Sequence, residues 1–310
     1  MSAIERLPLL MSSSHRARVT IGVPAYNAGR YLAQALDSLL AQTYTDLEII
    51  VSDNASTDDT ANIAREYAAR DPRVRYSRNP ENIGAGRNFI RCVELARGEL
   101  FRWASADDLS APTFVERCVE VLDANPDVVQ AYPRVTLIDS HGKALKQYDE
   151  KIQTLDASPR RRYLHVIRNI ELVNALYGVM RTKILRKTSI HGTYLGADVV
   201  VQTEIALYGK IWEIPEYLFF RRFHAGAHSA MTPAEQQTFY NPKVRSSLSL
   251  QKWRSTGESV RAIVRSPISL RDKMYLTGVM LRGAVASREE FLQELVGLAR
   301  ERWSGPTRRT

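Results

Sequence analysis

The 310-residue sequence has only two cysteines, Cys92 and Cys118, too few for a disulfide scaffold or a cysteine-rich zinc site, which suggests a reducing compartment. Nowhere do the roughly 18 to 20 consecutive apolar residues of a membrane-spanning helix occur, and the apolar run at 7–11 is too short for a signal-peptide core. A soluble, cytoplasmic protein is expected. The 16 glycines and 13 prolines follow no collagen-like period, and internal repeats and low-complexity tracts are missing. A Walker phosphate loop and the spacings His-Glu-x-x-His and Cys-x-x-Cys are absent too. What is present, 44% hydrophobic and 25% charged residues, suffices for one large or two modest domains.

The formal charge of +9 is unevenly spread. Up to Tyr240 there are 29 Lys/Arg against 28 Asp/Glu, whereas residues 241–310 hold 14 against 6. A near-neutral body without RNA-recognition motifs argues against nucleic-acid binding. The basic tail fits either an anionic lipid or acidic partner, or a solvated helical surface.

Residues 1–17 show no sustained periodicity and read as a flexible arm. From Val19, strand-like runs at 19–23, 47–52, 74–77 and 100–104 alternate with helix-period segments at 29–42, 57–69, 84–96 and 112–125, ahead of an extended stretch at 128–138. This alternation predicts an α/β fold with a largely parallel sheet between helices, residues 18–138 forming a first half and 139–240 a second. In the second half, His141-Gly142 reads as a turn, the arginines 160–162 as a basic loop, 170–177 as a short helix, 198–208 as a helix and 218–223 as a strand. Residues 241–310 read as a basic helical extension with breaks at Pro267 and Gly283.

Ligands of open α/β sheets bind beyond the carboxyl ends of the strands. Pro24-Ala25-Tyr26-Asn27, the segment from Asp53 to Asp58, Asn82-Ile83-Gly84, and Ser105-Ala106-Asp107-Asp108 all sit at such ends. The Asp107-Asp108 pair suits a hard divalent cation, magnesium or manganese; alternatively one Asp caps the next helix. Asp53 fits a base N–H or an Asx turn, and Arg87 fits a phosphate, a base carbonyl or plain solvent. Gly84 and Gly86 lack the third glycine of a dinucleotide fingerprint, which excludes a Rossmann cofactor site. Asp198, at a helix start after a glycine-bearing loop, reads as a general base or an N-cap. The segment 221–229, with Arg221, Arg222, His224 and His228, reads as a loop over a diphosphate or as an exposed basic loop.

In this order the motifs resemble the inverting nucleotide-sugar glycosyltransferases of family 2, whose fold is called GT-A. The resemblance spans about residues 19–230 and rests on five segments: the opening strand with Pro24-Ala25-Tyr26-Asn27, Asp53-Asn54-Ala55-Ser56-Thr57-Asp58, Asn82 to Asn88, Ser105-Ala106-Asp107-Asp108, and Arg222-Phe223-His224-Ala225-Gly226. It implies that Pro24, Ala25, Tyr26, Asn27, Asp53 and Arg87 hold the nucleotide, that Asp107 faces ribose or sugar, and that Asp108 binds Mn2+ or Mg2+. Arg222 and His224 would assist the leaving diphosphate, and Asp198 would be the catalytic base. Ser105 stands where many members carry an acid. The implied donor is a UDP- or dTDP-sugar and the implied acceptor a glycan or lipid-linked glycan of the cell envelope. The basic extension is then expected to touch the inner membrane face, through Trp253, Tyr275 and Trp303, or a second subunit. Two other classes share the sheet or the charge, a sugar nucleotidyltransferase and a non-catalytic basic adaptor. The first needs a glycine-rich phosphate loop after the first strand, where Pro24-Ala25-Tyr26-Asn27 stands instead.

Overall fold

A computed structural model describes residues 16–224, 231–240, 242 and 250–303. The first half alternates strand and helix: β1 (Val19–Ala25), α1 (Leu32–Leu40), β2 (Leu47–Asp53), α2 (Thr60–Arg70), β3 (Val74–Arg78), α3 (Ala85–Leu95), β4 (Leu100–Trp103), the two-residue β5 (Leu109–Ser110), α4 (Phe114–Ala124) and β6 (Val128–Ile138). There follow β7 (Ala144–Tyr148), α5 (Pro159–Asn169), a 3₁₀ turn (Asn174–Tyr177), β8 (Val179–Arg181), α6 (Thr182–Leu185), α7 (Ala197–Tyr208), β9 (Lys210–Arg222) and α8 (Pro233–Tyr240). Three helices close the described chain: α9 (Gln251–Arg265), α10 (Leu270–Ala286) and α11 (Arg288–Trp303).

The nine strands of the described residues join one mixed sheet of order β3-β2-β1-β4-β8-β6-β9-β5, with β7 paired to β6. β1, β2, β3 and β4 pair in parallel, and β6 runs parallel to β9, while β8, β7 and β5 join antiparallel. The side-chain period of two sorts the core. Val19, Ile21, Val23 and Leu100 pack with Leu36 of α1, Ala64 of α2 and Phe114 of α4. Phe101 and Trp103 point the other way, to Val93 of α3, Val166 of α5 and Val201 of α7. Where α3 crosses the sheet, a Cβ on Gly22 would lie 2.6 Å from Cys92 Cβ, so this central strand needs glycine there. Both cysteines are buried and free.

Beyond residue 138 the chain departs from the sequence reading in three places. The expected basic loop at 160–162 is the first turn of α5, N-capped by Ser158, whose hydroxyl accepts from Arg161 N. There Arg162 turns inward and donates to the carbonyls of Asp156, Ala157 and Ala206. The expected helix at 170–177 is only the turn Asn174–Tyr177, and Gly283 lies inside α10, which ends at Ser287. Pro267 does separate α9 from α10. The helix α9 is clamped to α7 by a two-pronged ion pair, Arg265 Nε and Nη2 donating to the fully buried Glu204 at 2.5 and 2.7 Å.

Candidate active site

A cavity of ≈ 660 Å³ opens beyond the carboxyl ends of β1, β2 and β4. Its floor is made of strand-end loops latched to one another. Asn27, held at φ 49, accepts from Thr57 N through its side-chain oxygen, and its own N–H donates to Ser56 Oγ. Asp58 accepts from Gly29 N at 2.8 Å, which joins the first loop to the second again. Asn54 Oδ1 accepts from Ile83 N, Asn54 Nδ2 donates to Asn82 Oδ1, and Asn82 Oδ1 also accepts from Gly84 N, which fixes the third loop. Asn88 bonds Ser52 at both ends of its amide. These amides keep the polar backbone ordered at the mouth of a sheet where strand pairing has ended.

Pro24, Ala25, Tyr26, Asn27, Asp107, His224 and Asp198 all line this cavity, so the structure brings together acids ninety residues apart. Asp107 Oδ2 lies 2.9 Å from His224 Nε2, and its other oxygen accepts from the Ser105 hydroxyl. Burial pushes the Asp107 carboxyl up, but the His224 and Ser105 hydrogen bonds outweigh it and hold the pKa below the usual value. Asp107 keeps 27% of its side-chain surface open, so a ligand can reach it. Asp198 sits in the first turn of α7, where one oxygen accepts from Val199 N. That geometry leaves the second oxygen for other partners.

Four of the expected residues lie elsewhere. Asp108 turns into the protein: it accepts from Arg222 N at 2.7 Å, and burial followed by the neighbouring Asp107 charge raises its pKa. The cause is β5, whose antiparallel pairing with β9 at Leu109–Phe220 draws the residue before it toward the β9 backbone. Arg222 likewise points away from the cavity. Its guanidinium donates to the carbonyls of Asp107, Asp139 and Ser140 and to Gln34 Oε1, and stacks 4.6 Å from the Tyr31 ring. Asp53 is wholly buried beneath the second loop, accepting from Ser56 N, the Tyr76 hydroxyl and Arg78 Nη1. Arg87 is exposed on α3. Gly226 and His228, part of the expected late loop, lie outside the described residues.

Arg221, one of the two cations of the expected 221–229 loop, lines the cavity, whereas His191 in its wall and Glu150 behind it escaped the sequence reading. Next to Arg222 and so on the opposite face of β9, Arg221 donates to Leu172 O and Asn174 Oδ1. Glu150 is buried, its pKa raised to about 7 by burial, and accepts from Asn174 N and Ala175 N, so it caps the turn whose Leu176 and Tyr177 form one wall. His191 stacks on Phe89 at 4.8 Å, faces Tyr240 at 6.0 Å, and is kept below the usual imidazole pKa by burial, against the Asp198 charge. The loop carrying His191 rests on α3 so closely that a Cβ on Gly86 would lie 2.2 Å from Gly192 O. Gly86→Ala is therefore expected to destabilise the fold by about 1–3 kcal/mol, read as a lower thermal midpoint; an unchanged midpoint would mean that this loop is not seated on α3.

Among the described residues no cluster of three or more metal-binding side chains occurs. Asp107 and His224 nevertheless fit a divalent ion. Both line the cavity and are of ligand types that manganese accepts, and to hold the ion together they would give up the hydrogen bond they now share.

Residues 20–188 match the profile of Glycosyl transferase family 2. Among curated proteins, a chondroitin synthase of Escherichia coli is 34% identical over 144 residues, covering 46% of this chain and 20% of its own. An uncharacterised glycosyltransferase of Methanocaldococcus jannaschii is 30% identical over 132 residues, covering 42% of this chain and 46% of its own. The match thus spans less than half the length of either relative. Among solved structures, residues 1–349 of S. aureus TarS in complex with UDP superpose with a TM-score of 0.62 at 14% identity, covering 87% of this chain and 72% of that one. A mannosyltransferase of Pyrobaculum calidifontis in complex with GDP-Man and Mn2+ gives 0.51 at 19% identity, covering 94% and 89%. These two likenesses speak for the fold. The profile match covers more than half of the sequence and contains the strand-end loops that floor the cavity, and on that ground the chain belongs to glycosyl transferase family 2.

Proposed function

We infer that the chain transfers a sugar from a nucleoside-diphosphate donor to an acceptor hydroxyl in one displacement that inverts the anomeric carbon. The observation that carries this reading is the shared cavity of Asp107, His224 and Asp198. Pro24, Ala25, Tyr26 and Asn27, with Asn54 and Asn82, line the side suited to base and ribose. Asp53 holds the second loop from beneath. Asp107 and His224 would hold Mn2+ or Mg2+, whose charge offsets that developing on the departing diphosphate. Asp108 and Arg222 serve as positioning residues, since they fix the β9 backbone and the Asp107 carbonyl. Asp198 takes the proton of the attacking hydroxyl, which needs its free oxygen within about 3 Å of that group. The wall of half-buried Tyr177 and buried His191 and Tyr240 shields the acid from water, and each of these rings feels the Asp198 charge.

A UDP-sugar is the first choice of donor, because TarS was solved with UDP and UDP-GlcNAc; GDP-sugars follow from the mannosyltransferase, and a dTDP-sugar fits the same chemistry. The acceptor class is a cell-envelope glycan, free or lipid-linked. With manganese, UDP at ~100 times its Kd stabilises the fold by about 2.7 kcal/mol, a rise in thermal midpoint of about 5–10 °C. No shift with UDP, dTDP or GDP would remove the donor site from this cavity.

A further inference from the structure

We propose that the outer face of α10 docks on an anionic phospholipid bilayer. Four of its side chains, Leu270, Met274, Leu281 and Val285, are 72%, 63%, 53% and 64% exposed, more than chance single exposures require. At about 100° per residue they fall within an arc of about 60° and form one continuous stripe. Arg271 and Arg282 flank that stripe, both exposed, and the Arg282 guanidinium lies back over Gly278, 3.7 Å from where a Cβ would stand. The one acid of α10, Asp272, sits on the opposite side, where it accepts from the Ser269 hydroxyl and pairs with Arg160. Lys273 is used internally, donating to Val264 O. The outward face is thus apolar and cationic with no acid. α11 also exposes Leu292, Leu295 and Val296, with Arg288 at the head of their stripe and Glu289 at its edge.

The charge on this face selects the occupant. If a second copy paired antiparallel through α10, the arginines of one helix would meet those of the other; paired parallel, they would face the side that carries Lys273, and in neither case does the face offer a carboxylate to answer them. Anionic headgroups answer both cations while the acyl boundary takes up the stripe. The contact is peripheral, since none of the described helices is long and apolar enough to cross a membrane. The aromatic residues expected at the interface do other things. The Trp253 indole donates to Phe291 O and packs edge-on against the Phe291 ring, Arg160 stacks on Tyr275, and the Trp303 side chain lies outside the described residues.

The test is flotation of the full chain with vesicles of phosphatidylcholine alone and of an equal mixture with phosphatidylglycerol. The wild type is expected to float with the mixed vesicles about tenfold better or more, and less as salt rises. Met274→Gln with Leu281→Gln, and separately Arg271→Gln with Arg282→Gln, should each cut that partition about tenfold without lowering the thermal midpoint, because all four residues are solvent-exposed. Equal flotation with both vesicle kinds, or unchanged flotation of either variant pair, would overturn the proposal. So would a wild-type dimer that the apolar pair dissociates in sedimentation and that ignores the vesicles, which would assign the face to a second copy.

Discussion

Asp198→Asn is expected to leave donor binding intact and to lower turnover by about 10²–10⁴-fold. The asparagine keeps an oxygen that can accept from Val199 N, the contact the aspartate now makes at 2.9 Å, so α7 should start in the same place. What disappears is the carboxylate oxygen to which the proposed mechanism assigns the proton of the attacking hydroxyl. Single-turnover rates together with calorimetry on the nucleoside diphosphate separate the two effects. Near-normal rates in this variant would take Asp198 out of the chemistry and leave it as a helix-start residue.

The second large effect distinguishes the neighbouring aspartates. Asp107→Ala should abolish manganese-dependent binding of nucleoside diphosphate, a fall of about 10–100-fold, while the weak metal-free binding persists. Asp108→Ala should act on the fold instead. It strands the Arg222 amide in a buried place, a loss of about 1–3 kcal/mol. Asp108→Asn, which retains an acceptor for Arg222 N, should recover much of that stability and keep the metal dependence. The reverse pattern, with metal response lost at 108 and kept at 107, would return the cation to Asp108.

The strand-end loops were legible in the sequence because each follows a short apolar run and consists of turn-forming polar residues, from Pro24-Ala25-Tyr26-Asn27 to Ser105-Ala106-Asp107-Asp108. The order of these loops carried the family. Which member of an adjacent pair faces the ligand was not legible. In a strand, Arg221 and Arg222 necessarily point to opposite faces, and only the pairing of β9 with β5 and β6 decides which face meets the cavity. The same two-residue β5 settles Asp107 against Asp108, and nothing in Leu109-Ser110 marks it as a strand. Helix α5 was hidden by its arginines, since a buried guanidinium satisfied by three carbonyls reads in sequence like a solvated one. His191 and Glu150 had no local signal at all; their neighbours Phe89, Tyr240, Asn174 and Ala175 come from other parts of the chain.

The attachment of Arg222 has a consequence for how the enzyme matures. Its amide and guanidinium tie the last described strand to partners 82 to 188 positions earlier in the chain, and His224, two residues on, reaches Asp107 beside that tie. Contacts of such long sequence separation close late, after the locally wound first half has collapsed. A nascent polypeptide released before β9 could therefore form a collapsed first half yet remain unable to retain a cation-dependent nucleotide, so that ligand capture marks the completion of folding rather than its onset.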